Sequence, residues 1–172
     1  FLHAAELQLP LLDRMYKEYE PGEAPAVLER MAAAIAPADA HLVVSGEYNH
    51  NVPPALSNML DHFLEEFFWK PSAIVCYSAG AFGGVRASIA LRAMLAEMGM
   101  SSIPSVLPVP HVQDAFDEQG RPASAAMNDR ARSFFDELEW YARALKAARE
   151  AERARGPERS YCAQHEAAEE AS

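Results

Sequence analysis

Two segments of the chain carry residue types from which chemistry could be built. In the first, Gly46-Glu47-Tyr48-Asn49-His50-Asn51-Val52-Pro53-Pro54, an aromatic ring and an amide stand side by side just after an apolar run. A planar ring could be stacked on one and hydrogen-bonded by the other. In the second, Ser78-Ala79-Gly80-Ala81-Phe82-Gly83-Gly84, three glycines and two alanines precede a helical pattern. Such a loop lets backbone approach a flat ligand closely and turns free N–H groups toward its acceptors. Delivered by neighbouring strands, the two segments form a glycine-lined slot with a tyrosine wall, which suits a planar heterocycle. The plain alternatives are a polar turn for the first and a tight strand-to-helix turn for the second.

The elements that must position these segments follow from hydrophobic period. Pro25 opens a helix over 24–35 with Val27, Leu28, Met31 and Ile35 on one face, and Pro37 stops it. The short apolar run 41–45, closed by Gly46, predicts a strand buried on both faces. Leu56, Met59, Leu60, Phe63, Leu64, Phe67 and Phe68 keep a helical period over three turns, until Lys70-Pro71. A second buried strand spans 73–77, and the helix after the glycine loop turns Leu91, Met94, Leu95 and Met98 inward, with Gly99 as its left-handed cap. Pro104 places the run 102–107 on a sheet edge. A long helix follows an irregular stretch over 108–122, with Met127, Ala131, Phe134, Phe135, Leu138, Tyr141, Ala142 and Leu145 on its face. From 148 to 172 the Ala/Glu/Arg-rich sequence keeps no apolar face, which predicts a frayed helix, a loose tail and a charged C-terminal extension to a domain at 1–147. Strands alternating with helices through short loops imply an α/β class with a parallel sheet. In such sheets ligands gather beyond the carboxyl ends of the strands, where both segments lie.

The motifs Glu47-Tyr48-Asn49, Val52-Pro53-Pro54-Ala55-Leu56-Ser57-Asn58-Met59-Leu60-Asp61, Lys70-Pro71, Ser78-Ala79-Gly80 and Gly83-Gly84-Val85-Arg86-Ala87 occur in this order. Together they resemble the NADPH-dependent FMN reductase family, which includes quinone, azo and chromate reductases. The resemblance covers about residues 1–145. It implies a flavodoxin-like, three-layer α/β/α fold with strand order 2-1-3-4-5. It further implies FMN at the switch point, NADPH or NADH as co-substrate, and hydride passed through the flavin to a flavin, quinone or similar small-molecule acceptor. By the same resemblance Glu47, Tyr48 and Asn49 contact the isoalloxazine from one loop, and Ser78, Ala79, Gly80, Phe82, Gly83 and Gly84 line its other edge. No side chain is needed as a catalytic nucleophile. The resemblance also implies a homodimer or homotetramer, and the surplus of Phe63, Phe67, Phe68 and Trp69 over what one helix face buries suggests a subunit contact there.

The chain departs from the family's pattern in three places. Gly46 replaces the usual proline before Glu47, Ser57 stands where lysine is common, and the Gly-Ser-x-Arg-type loop that cradles the FMN phosphate has no counterpart. Strand 1 and most of strand 2 would precede Phe1, a deficit of ~30 residues or more for one βαβ unit. A chain that starts with Phe1 therefore reads as part of a longer polypeptide. Two other readings stay open: a non-catalytic flavodoxin-like electron-transfer or assembly module, and a serine hydrolase built on Ser78 with Asp114 or Glu118 and His165.

Composition narrows the classes. A net charge of −10 over 172 residues offers no basic footprint for nucleic acid, and no apolar run approaches the ~20 residues of a bilayer span. Cys76 and Cys162 make no disulfide framework and suit the cytoplasm. The histidines at 41, 50, 62, 111 and 165 lack metal-ligand spacing, so no metal is expected.

Overall fold

The computed structural model describes residues 1–155. Its elements in chain order are α1 (Ala4–Leu7), α2 (Ala26–Ile35), β1 (His41–Gly46), α3 (Pro54–Asp61), β2 (Pro71–Tyr77), α4 (Val85–Glu97), β3 (Ser101–Val109) and α5 (Ala125–Arg155). The strands form one parallel sheet of order β1-β2-β3, so each crossover carries a helix. Gly46 pairs with Tyr77 and Tyr77 with Val109, which brings the three carboxyl ends into line. The expected α/β/α layering follows from the side-chain alternation. Val43, Ile74 and Cys76 point into a core shared with Leu28, Met31, Leu60, Phe63, Leu91 and Leu95, and Ala73, Ile103 and Leu107 point the other way onto Phe134 of α5.

Two strand expectations meet different outcomes. β3 is a sheet edge and contains Pro104, as the missing N–H requires, and the Arg92 guanidinium donates to the Ile103 and Pro104 carbonyls beside it. β1 is not buried on both faces. Leu42 and Val44 are 43% and 47% exposed, because α5 lies over β2 and β3 and leaves the α5-side face of β1 uncovered among the described residues. The outer edge of β1 likewise has no strand partner there.

The helix expected to run through Phe68 ends at Asp61. The chain then turns, with Phe63 N–H bonded to the Leu60 carbonyl, and a short 3-10 turn at Glu65–Phe67 follows. The turn lets Phe63, Phe67 and Phe68 all face inward, while Trp69, the fourth of the aromatic group expected to offer a subunit contact, is half-buried. Phe68 lies on Gly99, where a Cβ would stand 2.5 Å from its ring. Gly99 has φ +74 and closes α4 as expected: its own N–H reaches the Ala96 carbonyl while the Met100 N–H reaches that of Leu95. Helix α5 continues without a break past position 147 to Arg155, and Phe135, placed by sequence on its inner face, is exposed. The tail expected beyond it, with Cys162 and His165, lies outside the described residues.

The amino end of the sheet is closed by buried charge. Lys70 is 7% exposed, and its Nζ donates to the carbonyls of Ile35, Ala36 and Glu66 at 3.1, 2.7 and 2.6 Å. These include acceptors that α2 leaves unpaired at its C-terminus. Burial, and then the nearby Arg149, lowers the Lys70 ammonium to about 8. Arg149 ties α5 to the Trp69 carbonyl and to Asp39, which Lys146 also holds.

Candidate functional site

The first segment leaves β1 and folds at once into a tight turn. Tyr48 and Asn51 exchange backbone hydrogen bonds of 3.0 and 2.9 Å, and the two residues between them, Asn49 and His50, have φ of +51 and +62. Positive φ at both central positions is the type I′ geometry, and asparagine tolerates it better than most residues because its short polar side chain can bond locally. The turn projects Tyr48, 63% exposed, and the Asn49 amide makes no hydrogen bond among the described residues. Both groups are thus available to a ligand.

The second segment divides into two halves. Gly83 and Gly84 are buried, with φ +61 and +80, and a Cβ on them would lie 2.9 Å from the Pro110 nitrogen and 2.8 Å from the Tyr77 backbone. These glycines exist to pass the backbone over the strand ends, which is the tight-turn reading of the loop. Gly80 differs: a Cβ there would meet nothing within 4 Å, and the N–H groups of Ala79 and Gly80 donate to no acceptor among the described residues. Phe82 is 62% exposed beneath the Arg86 guanidinium, 4.4 Å from its ring centroid. The loop is held from behind. Ser78 N–H bonds to Val109, while the His111 and Val112 N–H groups bond to the carbonyls of Gly80 and Ser78. The Ser78 hydroxyl donates to Gly80 at 3.0 Å, inside its own turn.

Glu47 joins the two segments. Its Oε2 accepts from the backbone N–H groups of Arg86 and Ala87 at 3.0 and 3.3 Å, and its Oε1 lies 3.6 Å from the Arg86 guanidinium. The family resemblance implies a ring contact for Glu47; in the structure its carboxylate is engaged with the start of α4. Burial pushes the nearby Cys76 thiol up to about 11, which keeps it protonated and inert.

Gly46, the first departure from the family's motif, has a local reason. A Cβ at this position would lie 3.2 Å from Cζ of Tyr77 and 3.3 Å from its hydroxyl. The Tyr77 ring occupies the space a larger residue needs. Asn58, noticed only as part of a motif, clamps the N-terminal segment by accepting from Leu12 N–H and donating to the Pro10 carbonyl, at 2.9 and 2.8 Å. Periodicity had no means of finding either role, since both depend on partners 31 or more positions away.

Available at this end of the sheet are an aromatic face, an amide, an open glycine and N–H donors, those of Ala79 and Gly80 included, without an acceptor among the described residues. These fit the acceptor-bearing edge of a flat tricyclic ring such as isoalloxazine. The residues for a phosphate cradle are not among them.

Comparison with known proteins bears on which ligand this is. A family model described as NADPH-dependent FMN reductase matches residues 1–114. The NAD(P)H-dependent FMN reductase of Pseudomonas aeruginosa is 36% identical over 131 residues, 72% of this chain and 68% of that protein. A quinone reductase of Pseudomonas putida is 32% identical over 129 residues, 70% of this chain and 66% of its own length. An NADPH azoreductase of a Bacillus species is 31% identical over 105 residues, 59% of this chain and 58% of its own length. The chain thus spans about three fifths to two thirds of these relatives. Among solved structures, the flavoenzyme NAD(P)H:(acceptor) oxidoreductase FerB of Paracoccus denitrificans superposes with a TM-score of 0.63 at 22% identity, over 81% of this chain and 79% of that one, which supports the fold.

Proposed function

The chain belongs to the NADPH-dependent FMN reductase family, and from that premise we propose that it is an NAD(P)H-dependent oxidoreductase that holds FMN across the carboxyl ends of β1 and β2. When bound, FMN supplies the redox chemistry, taking hydride from the nicotinamide and giving reducing equivalents to a flavin, quinone or azo acceptor. The observation that carries this reading is the convergence at one end of the sheet of exposed Tyr48 with the Asn49 amide and the Ala79 and Gly80 N–H groups, none of which has a hydrogen-bond partner among the described residues.

Each group has a defined part. Tyr48 offers a face for stacking, and the Asn49 amide both donates and accepts. The Ala79 and Gly80 N–H groups offer donors to ring carbonyl or nitrogen acceptors, and Gly80 leaves room for the ring edge. Gly83 and Gly84 hold the loop against the strands, where a Cβ would meet the backbone of Pro110 and Tyr77. No side chain of the site needs to act as nucleophile, and Ser78, bonded within its own turn, is not poised as one.

The acidic, cysteine-poor composition supports a cytoplasmic protein, and no helix among the described residues is long and apolar enough to cross a membrane. Assembly as a homodimer or homotetramer is part of this reading, and the exposed aromatic side chains of α5, Phe135 on one side and Trp140 on another, are candidate contacts. The test of the main reading is titration of the purified chain with FMN, followed by NADPH and a benzoquinone. Quenching of flavin fluorescence on binding and quinone-dependent loss of nicotinamide absorbance are expected; absence of binding at 100 μM FMN, roughly −5.5 kcal/mol on the affinity scale, would sink it.

A further inference from the structure

We infer that Glu47 is a positioning residue that sets the spacing of the two site loops, rather than a contact to the flavin ring; this rests on the FMN reading above. Helix α4 begins at Gly84, which has no side chain with which to cap it. The first turn of a helix leaves backbone N–H groups without partners, and a residue at the N-cap ordinarily satisfies those at the second or third position with a side-chain oxygen. Arg86 and Ala87 occupy these two positions, and the oxygen that reaches them comes from Glu47, 39 and 40 residues away. Glycine is required at 84 by the close approach to Tyr77, so the cap must come from elsewhere.

The consequence is geometric. Glu47 is the residue between Gly46, the last of β1, and Tyr48, the first of the exposed turn. Its anchor at Arg86 and Ala87 directly follows the loop 78–84. One side chain therefore fixes both walls of the slot relative to each other. Its charge is favourably placed at the positive end of the α4 dipole and beside the Arg86 guanidinium, and the side chain is only 9% exposed. With both carboxylate oxygens turned to α4 and its first turn, little of the group is left for a ligand.

The experiment compares Glu47→Ala, Glu47→Gln and Arg86→Ala with the unaltered chain. Hydrogen exchange of the 86 and 87 amides is followed in the flavin-free protein, and FMN affinity by fluorescence titration. Glu47→Ala is expected to speed exchange at both amides at least tenfold and to weaken FMN at least tenfold. Glu47→Gln, which keeps an oxygen acceptor, should recover most of both losses. Arg86→Ala removes the 3.6 Å ion pair and the guanidinium over Phe82 but leaves both capping bonds in place, and should change amide exchange by less than threefold. Unchanged exchange in Glu47→Ala overturns the cap. Faster exchange with unchanged FMN affinity overturns the positioning role. Normal exchange in Glu47→Gln with affinity as poor as in Glu47→Ala means that the charge itself meets the flavin, and overturns it too. Failure of the FMN reading shows separately, as no binding by the unaltered chain; the cap then stands or falls on the exchange rates, and the positioning role for flavin falls with that reading.

Discussion

The two ends of the sheet treat most of their polar groups in opposite ways, the buried His41 Nε2 at the amino end, without a hydrogen-bond partner among the described residues, being an exception. At the amino end, Lys70, Arg149, Asp39 and Lys146 are engaged with one another or with backbone carbonyls, and even the backbone of Trp69 and Ser101 is paired, to Gly99 and Lys70. At the carboxyl end, the Asn49 amide and the Ala79 and Gly80 N–H groups have no partner among the described residues, and the large aromatic side chains of Tyr48 and Phe82 are exposed. An unpaired buried polar group is costly, whereas an exposed one is held ready for a ligand at little cost. The first end is therefore built for stability and the second for binding, and substitutions should separate the two properties.

The largest effect is expected at the amino end. Lys70→Ala removes three charge-assisted hydrogen bonds and leaves the carbonyls of Ile35, Ala36 and Glu66 without that donor. A loss of about 4 kcal/mol in unfolding free energy is expected from urea denaturation. FMN affinity measured below the transition should stay within about twofold of the original, since the substitution lies at the opposite end of the strands. A stable variant with weakened flavin binding would break the division between the ends.

A second effect at the same end is set by pH. Burial, and then the charges of Lys70 and Arg149, lowers the His41 imidazole to about 4, and its ring packs edge-on against Phe67 at 5.0 Å. Between about 4 and the ordinary value of 6.5 the folded chain therefore binds fewer protons than the unfolded one. Stability is full above 6.5 and falls as pH drops through this window, by up to about 3 kcal/mol. Asp39, held below the usual carboxylate range chiefly by its bond to Lys146, adds its own loss as pH falls through the ordinary carboxylate range, at the acid end of that window and below. Denaturant midpoints taken from pH 7 to pH 4 should show the slope, and His41→Asn should flatten it; an unchanged slope in that variant would assign the effect elsewhere.

The sequence revealed these ends unevenly. The order of helices and strands, the edge position of β3 and the Gly99 cap were all legible, because each rests on local period or on one residue's backbone preference. The Phe63–Phe68 region was misread because a helical period persists in sequence through a chain reversal that buries the same residues by another route. β1 read as doubly buried because an apolar run does not say which of its faces a helix covers. At the site, the motif pointed to two loops that the parallel register brings to one end of the sheet. What it could not show was that Gly83 and Gly84 serve the turn while Gly80 stays open, or that Glu47 reaches α4, since those facts depend on neighbours brought up by the sheet register.

The smallest effect on stability, and the sharpest contrast with Lys70, is expected at Asn49. The residue has φ +51 and its side chain bonds to nothing in the described protein. Glycine adopts this conformation without strain but loses more entropy on folding, so Asn49→Gly should leave unfolding free energy within about 0.5 kcal/mol of the original. The turn is kept by the Tyr48–Asn51 backbone pair, which the substitution does not touch. A change in flavin binding therefore reports the amide alone. A fivefold or greater rise in the FMN dissociation constant, with an unaltered denaturation midpoint, is the outcome expected of a group held ready for ligand. Unchanged affinity would assign Asn49 to the geometry of the turn, and leave Tyr48 with the loop 79–80 as the whole of the ring contact.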